Sequence, residues 1–200
     1  RRGPPIPWES SGGLWATGKA VGRQPRVFFG SFRSGPMSSA LTYALAQNFL
    51  SSTLVQLAVL FGRVWRGAHP AFIQPVGTLI LWLGLALYSV AWSLLVGAVL
   101  SQLLSLAGAR VSRRDCLRAA LYTSPAPYVV ATAVMVGPGR TFSAFIALVL
   151  ALSMVRPLSY FARGRGELPD ATGNAAAFAA ALTGVLVLGG PLAWVLGVFR

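Results

Sequence analysis

The sequence is poor in the side chains from which most catalytic and metal-binding sites are built. Its 200 residues include one cysteine, one histidine and four carboxylates. With Cys116 alone, no disulfide can form within the chain. His69 stands beside a proline, without a neighbouring histidine, cysteine or acidic residue to share a metal ion. The sequence therefore predicts no metal site and no bound cofactor.

A buried proton relay or acid–base pair would need carboxylates within the long apolar runs. All four carboxylates lie outside those runs. They are Glu9, Asp115, Glu167 and Asp170. Cys116 has Arg114 and Arg118 nearby, which could lower a thiol pKa. No histidine or second cysteine stands near it, so an incidental cysteine is favoured over a nucleophile. We expect a protein that is not an enzyme.

Charged residues are also scarce. They make up 10% of the chain, against about a quarter in a typical soluble domain, while 55% of residues are hydrophobic and the mean hydropathy is +0.65. The chain lacks the polar residues to cover a soluble globule, which indicates a membrane protein. Its net charge of +13 then favours anionic lipid headgroups as partners. No basic patch is interleaved with base-stacking aromatics, so we expect no nucleic-acid partner.

The longest apolar run covers residues 78–107 and contains no charged residue, histidine or proline. About twenty helical residues cross a hydrocarbon core of about 30 Å, so this run predicts a central transmembrane helix. Small residues recur along it at every fourth position, which places them in one stripe where a neighbouring helix can approach closely. The stripe consists of Ser89, Ser93, Gly97, Ser101 and Ser105.

Four further apolar runs complete an all-α, polytopic membrane helix bundle with five transmembrane helices. The predicted spans are residues 40–61, 78–107, 119–136, 141–161 and 175–199. Pro125 and Pro127 interrupt the third span, and Gly189, Gly190 and Pro191 interrupt the fifth, because proline removes an amide donor and crowds the preceding turn. Such breaks persist in a membrane only where neighbouring groups satisfy the freed carbonyls.

The first span carries an unusual polar face. Asn48, Ser52 and Gln56 recur at every fourth position, so they share one side of the helix. Facing lipid they would lack hydrogen-bond partners, and we therefore expect this side to face the bundle. Interhelical hydrogen bonding is the favoured role. A polar pathway or a ligand-facing surface is the alternative.

The residues before the first span divide into two segments. Residues 1–13 are rich in proline and glycine and predict a flexible, non-helical lead-in. Residues 14–39 predict a short amphipathic helix and an aromatic approach to the bilayer, in which Leu14 and Val21 share one side. This helix either lies at the membrane interface or packs on the protein as a linker. Residues 1–32 contain no apolar core of a cleavable signal peptide.

Basic residues alternate in density around the five spans. The segments before the first span, between the second and third and between the fourth and fifth carry thirteen lysines and arginines, against four on the other side. By the positive-inside bias, the N-terminus is cytoplasmic and the C-terminus is outside. The densest basic loop is assigned to lipid headgroups or a partner, through Arg110, Arg113, Arg114 and Arg118.

Three stretches together resemble the Yip family of five-span, Ypt/Rab-interacting membrane proteins, in its bacterial form. Pro7-Trp8-Glu9 and the later Pro25 to Phe29 are similar to the lead-in of bacterial members. The stretch LRAALYTSPAP at 117–127 is similar to the segment that opens the third span. That last match is carried by Tyr122, Ser124, Pro125 and Pro127.

The resemblance spans residues 7–165 and implies a multi-pass membrane protein without known catalysis. Eukaryotic members bind Rab-type GTPases in vesicle traffic. Sixteen arginines against one lysine are typical of a GC-rich bacterial source, where no Rab cycle exists, so that function is not carried over. We expect a scaffold of the bacterial inner membrane that organises partners or lipids, alone or as a homo-oligomer. The alternative is a membrane subunit of a transporter or exporter, with a polar pathway near the first and third spans.

Overall fold

The computed structural model of the chain describes residues 5–10, 13–65, 75–123 and 140–189. Within these ranges the regular structure is entirely helical, which confirms the predicted all-α class. A 3-10 turn at Pro7–Ser10 precedes seven α-helices, and a π-helical turn at Val185–Gly189 follows them. The helices are α1 Gly13–Arg23, α2 Pro25–Gly30, α3 Met37–Trp65, α4 Pro75–Leu106, α5 Arg113–Thr123, α6 Arg140–Gly166 and α7 Asp170–Gly184.

Three of these helices exceed the thickness of a bilayer. The lengths of α3, α4 and α6 are 29, 32 and 27 residues, where about twenty suffice. Within the described residues, two stretches are both long and apolar enough to cross a membrane: Ala86–Leu106 in α4, and Asp170–Val187, which covers α7. The structure thus contains two candidate membrane spans, and the number of five spans stays a prediction.

Helix boundaries differ from the predicted ones near the fourth and fifth spans. The sequence predicts a polar loop after residue 161, but α6 continues to Gly166 and α7 begins at Asp170. The helix accommodates Pro157, and the Ser159 hydroxyl donates to the backbone carbonyl of Arg156 at 2.8 Å. The π-helical turn immediately precedes the interruption predicted at 189–191. Residues from 190 onward, and the kink at Pro125 and Pro127, lie outside the described residues.

Helix α4 packs against three other helices. Its Ser89 hydroxyl donates to the Asn48 side-chain oxygen of α3 at 3.2 Å. One turn further on, Trp92 and Val96 press against Gly184 of α7, where an added β-carbon would lie 2.7 Å from a methyl group of Val96. The small residues Ser89 and Gly184 thus stand at these contacts beside the large Trp92 and Val96.

Gly97 of α4 allows α5 to approach α4 with its backbone. A β-carbon at this position would lie 2.8 Å from the Cα of Leu117 and 3.0 Å from the carbonyl oxygen of Cys116. Those obstacles are backbone atoms, which do not move aside as a flexible side chain does. The absence of a side chain at Gly97 therefore fixes how near α5 lies to α4.

The turn between α4 and α5 is built from specific capping residues. Gly108 has a φ of +78°, and the amides of Gly108 and Ala109 donate back to the carbonyls of Ser105 and Leu104. This is the Schellman arrangement, which favours glycine because of its left-handed backbone. Ser112 then caps α5, its hydroxyl accepting the Asp115 amide at 3.0 Å. The position of the first turn of α5 is thereby fixed.

We predict that Gly97→Ala lowers the thermal unfolding midpoint of the purified protein, whereas Gly84→Ala does not. Both substitutions add one methyl group to α4, but nothing lies within 4 Å of the methyl at residue 84. Overpacking at a tight contact costs about 1–3 kcal/mol. Equal midpoints for the two variants in the same detergent would contradict the close α4–α5 contact.

Candidate functional site

The side chain at the centre of one end of the bundle is a wholly buried arginine. Arg118 of α5 has 0% of its side chain exposed. A buried charge is costly unless it is paired and hydrogen-bonded, so its neighbours are decisive. We call Arg118 together with Glu9, Asp115 and Arg165 the buried charge cluster.

Arg118 is bonded to segments far away in sequence. Its Nη2 atom forms an ion pair with Oε1 of Glu9, in the 3-10 turn near the N-terminus. Its Nη1 atom donates to the backbone carbonyl of Arg33 at 2.8 Å. The guanidinium also lies 5.3 Å from the centroid of the Phe32 ring, within the range of a cation–π interaction. One side chain thus holds both the N-terminal turn and the segment before α3.

The two acids of the cluster are also satisfied. Glu9 accepts a second hydrogen bond, at 3.0 Å, from the Tyr122 hydroxyl. Asp115 lies 3.7 Å from Nη1 of Arg118, and its other oxygen accepts from the Ser34 hydroxyl at 2.8 Å. Asp115 also stands in the first turn of α5, where the helix dipole favours a negative charge.

Arg165 closes the cluster from the end of α6. Its Nη2 atom lies 3.2 Å from the Asp115 carboxylate and donates to the Ser34 hydroxyl at 2.6 Å. The cluster therefore balances two arginines against two carboxylates, and it links the N-terminal turn, the segment before α3, α5 and α6. The geometry of the cluster is that of a structural link between these segments, since its four charged groups bind one another.

Aromatic rings surround the cluster on the apolar side. Phe32 packs edge-on against Phe161 of α6 at 5.5 Å between centroids, and Tyr122 lies 4.9 Å from Tyr43 of α3. Trp8 packs against Tyr43 at 5.9 Å. These rings exclude water from the ion pairs, which strengthens the ion pairs.

The N-terminal segments therefore pack on the protein. Residues 1–13 are predicted as a flexible lead-in, yet Ile6 is buried and Trp8 and Glu9 are anchored as described. In α1, Leu14 and Val21 pack against the core, with Thr17 fully buried between them. This is the arrangement expected of a linker helix packed on the protein, while Trp15 on the outer side is 86% exposed.

The basic loop assigned to headgroups or a partner divides into two parts. Arg110, Arg113 and Arg114 are exposed. Arg118 is a correction: it is buried and bonded to Glu9, so it does not present its charge to headgroups or to a partner. Arg118 shares a side of α5 with Arg114 but lies one turn further along, where the N-terminal turn and the segment before α3 cover it.

The other predicted residues have the following positions. Asn48 is buried and bonded to Ser89, whereas the side chains of Ser52 and Gln56, also in α3, lie outside what the structure describes. In the α4 stripe, Ser89, Ser93 and Gly97 are buried, Ser101 is half-buried and Ser105 is exposed. Of the four residues that carry the third-span match, Tyr122 is buried in the cluster, and Ser124, Pro125 and Pro127 lie outside the described residues.

Cys116 is fully enclosed between α4 and α5. Burial raises the pKa of its thiol to about 12, since a thiolate would be poorly solvated there. A nucleophilic cysteine needs the opposite, a lowered pKa and access to solvent. Among the residues that the structure describes, no three histidine, cysteine or acidic side chains are grouped closely enough to hold a metal ion; His69 is not among those residues.

Sequence reasoning missed Glu9 as the partner of Arg118. The two residues are 109 positions apart, and no local pattern joins them. One signal was available: with only four carboxylates in the chain, each acid is a candidate partner for any buried arginine.

No known protein family, curated protein or solved structure matches the chain. The resemblance to the Yip family is therefore carried by the sequence motifs alone.

We predict that Cys116 resists modification in the folded protein. A maleimide reagent at pH 7.5 should label it only after denaturation, because the thiol is buried and its pKa is about 12. Mass spectrometry of the protein before and after addition of dodecyl sulfate measures the labelled fraction. Rapid labelling without denaturant would show that α4 and α5 are not packed as described.

We predict strong coupling between Glu9 and Arg118. Glu9→Gln or Arg118→Met alone should destabilise the protein by about 3–5 kcal/mol, because each leaves a buried charge without its partner. The double variant should lose clearly less than the sum of the two. Unfolding in detergent, followed by tryptophan fluorescence, measures these differences.

Glu167→Gln is the control for this cycle, since Glu167 is exposed and forms no ion pair among the described residues. It should leave stability unchanged. Additive effects of the two cluster substitutions would contradict the ion pair.

Proposed function

We propose that the chain is a non-enzymatic integral membrane protein that organises a partner at the cytoplasmic face of a membrane. The observation that carries the proposal is the distribution of polarity between the inner and outer sides of the helices. In a soluble protein, long helices bury their large apolar residues and expose polar ones. Here α3, α4 and α7 also present large apolar residues outward.

The outer side of α7 is the clearest example. Phe178, Leu182 and Leu186 recur at every fourth position and are 45%, 36% and 68% exposed. The side of α7 that packs on α4 and α6 is made of alanine and glycine instead, with Ala177 and Ala180 fully buried. Large apolar residues outside and small ones inside are typical of a helix between lipid and its bundle.

Two other helices also present large apolar residues outward, although they bury large residues as well, such as Leu100 of α4 and Tyr43 of α3. On α4, Leu83 and Leu87 are 57% and 54% exposed while Ser89 and Ser93 are buried. On α3, Phe49 is 50% exposed and its neighbour Asn48 is fully buried. Lipid contact gives these apolar side chains an environment that water does not.

The five-span arrangement with a cytoplasmic N-terminus belongs to this proposal. It is supported by the alternation of thirteen and four basic residues around the predicted spans. In that orientation the buried charge cluster and the exposed arginines before and on α5 lie on the cytoplasmic side. The resemblance to the Yip family implies the same arrangement.

The partner would meet the exposed arginines at the beginning of α5. Arg110, Arg113 and Arg114 are outward-facing, and none forms an ion pair among the described residues. Ser112 caps α5, and the ion pair between Arg118 and Glu9 bonds α5 to the N-terminal turn. These cations are therefore held on a rigid support. A rigid cationic surface suits an acidic surface on a partner protein.

The alternative of a transporter subunit has less support in the described residues. The Asn48 side chain is bonded to Ser89 of the neighbouring helix, which is the interhelical packing role. A transport pathway would also involve Gln56 and the third span, and it is tested by the same experiment.

The experiment is affinity purification of the tagged protein from native membranes in mild detergent, with quantitative mass spectrometry. We expect one protein partner in constant ratio, reduced about tenfold by Arg110→Gln/Arg113→Gln/Arg114→Gln. The control is Lys19→Gln/Arg23→Gln/Arg33→Gln, which removes three other exposed cations and should retain the partner. Higher salt should release the partner from the unchanged protein.

Equal recovery with both triple variants would overturn the assigned partner surface. Co-purification of a stoichiometric ATPase or a second permease would favour the transporter alternative. Release of the unchanged protein from membranes by alkaline carbonate would overturn the membrane location.

A further inference from the structure

A second group of cations lies on α6, apart from the buried charge cluster. Arg156, Tyr160 and Arg163 are spaced four and three residues apart, so they share one side of the helix. Arg26 of α2 lies close enough to act electrostatically on the Tyr160 hydroxyl. We call these four residues the arginine–tyrosine site.

Tyr160 is at the centre of this site. Its hydroxyl accepts a hydrogen bond from Nε of Arg156 at 3.2 Å. The guanidinium of Arg163 lies over its ring, 4.9 Å from the centroid. A tyrosine hydroxyl that accepts one hydrogen bond still has its own proton to donate. The ring is therefore held in place while the hydroxyl can bind an external oxygen.

Arg163 has an internal partner for its charge. It forms an ion pair with Asp170 at 3.1 Å and donates to the hydroxyl of Ser159 at 3.2 Å. Its role in the site is thus to position Tyr160, and the remaining positive charge comes from Arg26 and Arg156.

Arg26 is kept near α6 by a contact between two glycines. A β-carbon at Gly164 of α6 would collide with the backbone of Gly30 in α2. The two helices therefore approach as closely as backbones allow, one turn beyond Arg26 and one turn beyond Tyr160. This contact explains why Arg26 lies beside α6, although α2 has only six residues.

None of the four acidic side chains of the chain forms an ion pair with Arg26 or Arg156. All four of its carboxylates lie within the described residues. Glu9 and Asp115 are used in the buried charge cluster, Asp170 pairs with Arg163, and Glu167 forms no ion pair there. Both Arg26 and Arg156 are exposed, so both are accessible to an anion from outside the chain.

We propose that the arginine–tyrosine site binds the phosphate of an anionic phospholipid headgroup. Guanidinium groups match phosphate oxygens with paired hydrogen bonds, and the Tyr160 proton supplies a further donor. Residues 156–160 stand at the end of the predicted fourth span, which is where headgroups lie. The inference rests on the membrane location proposed above and assigns a lipid class and a place to it.

The test uses the full chain purified in detergent with a mixture of phosphatidylglycerol and phosphatidylcholine, and native mass spectrometry of the lipids retained. The unchanged protein should retain phosphatidylglycerol preferentially. Arg26→Gln/Arg156→Gln should reduce that preference at least about tenfold, since each basic residue near a lipid surface contributes measurably. Tyr160→Phe should cause a smaller loss, because it removes one donor and leaves the cations.

Lys19→Gln/Arg23→Gln is the matched control, because it removes the same charge from exposed positions outside the site. It should leave the preference unchanged. Equal losses from the two double variants would show a general charge effect and overturn the proposal. Displacement of the lipid by millimolar inorganic phosphate would also overturn it, since the site would then recognise free phosphate.

Two measurements separate this inference from the proposed function. Thermal unfolding tests whether Arg26→Gln/Arg156→Gln is folded, which we expect because both residues are exposed. Resistance of the unchanged protein to carbonate extraction shows that it is integral to the membrane. If it is integral and the variant keeps its phosphatidylglycerol, the lipid site is overturned while the membrane location stands. If carbonate releases the unchanged protein, both are overturned.

Discussion

The ion pair between Arg118 and Glu9 is the interaction on which one end of this bundle depends. A guanidinium with no exposed surface has to find its hydrogen bonds inside the protein. Its two Nη atoms find them on the N-terminal turn and on the backbone before α3, with Phe32 covering its face, while Nε has no hydrogen-bond partner among the described residues. Asp115 extends the network to Arg165 at the end of α6. Segments that share no regular hydrogen bonding are thereby joined by four charges.

The packing of the helices follows a different constraint, which is the lack of side-chain bulk at a few positions. Gly97 lets α5 lie against α4, Gly184 receives Trp92 and Val96, and Gly164 lets α2 lie against α6. Close backbone approach and hydrogen bonds such as Ser89 to Asn48 act at these contacts together with buried large residues such as Val96 and Leu100. On α7, whose packed side is alanine and glycine, larger residues stand on the outer surface. Charge pairing at one end and small residues along the helices thus serve complementary purposes.

Much of the fold could be predicted because it follows from local pattern. Long apolar runs predict helices. The recurrence of Ser89, Ser93 and Gly97 at every fourth position predicts a packed side of α4, and these residues are buried in the structure. The stripe ends at Ser105, which is exposed while the adjacent Leu104 is buried, and spacing alone does not show where packing ends. The continuation of α6 from residue 161 to Gly166 also escaped prediction. The pairing of Glu9 with Arg118 could not be derived from the sequence, because their contact depends on how α5 is placed against the N-terminal turn.

The separation of Glu9 and Arg118 by 109 positions has a consequence for how the chain is assembled at the ribosome. The N-terminal turn leaves the ribosome before α5 and lacks its Arg118 partner until α5 has been made. At typical rates of synthesis, roughly 5–20 s pass between the two residues. The last member, Arg165, comes 131 positions after Ser34, to which it donates. The first helices must therefore be in place before the N-terminal turn can dock on them. This turn is among the last parts of the protein to reach its final position, although it is made before the helices.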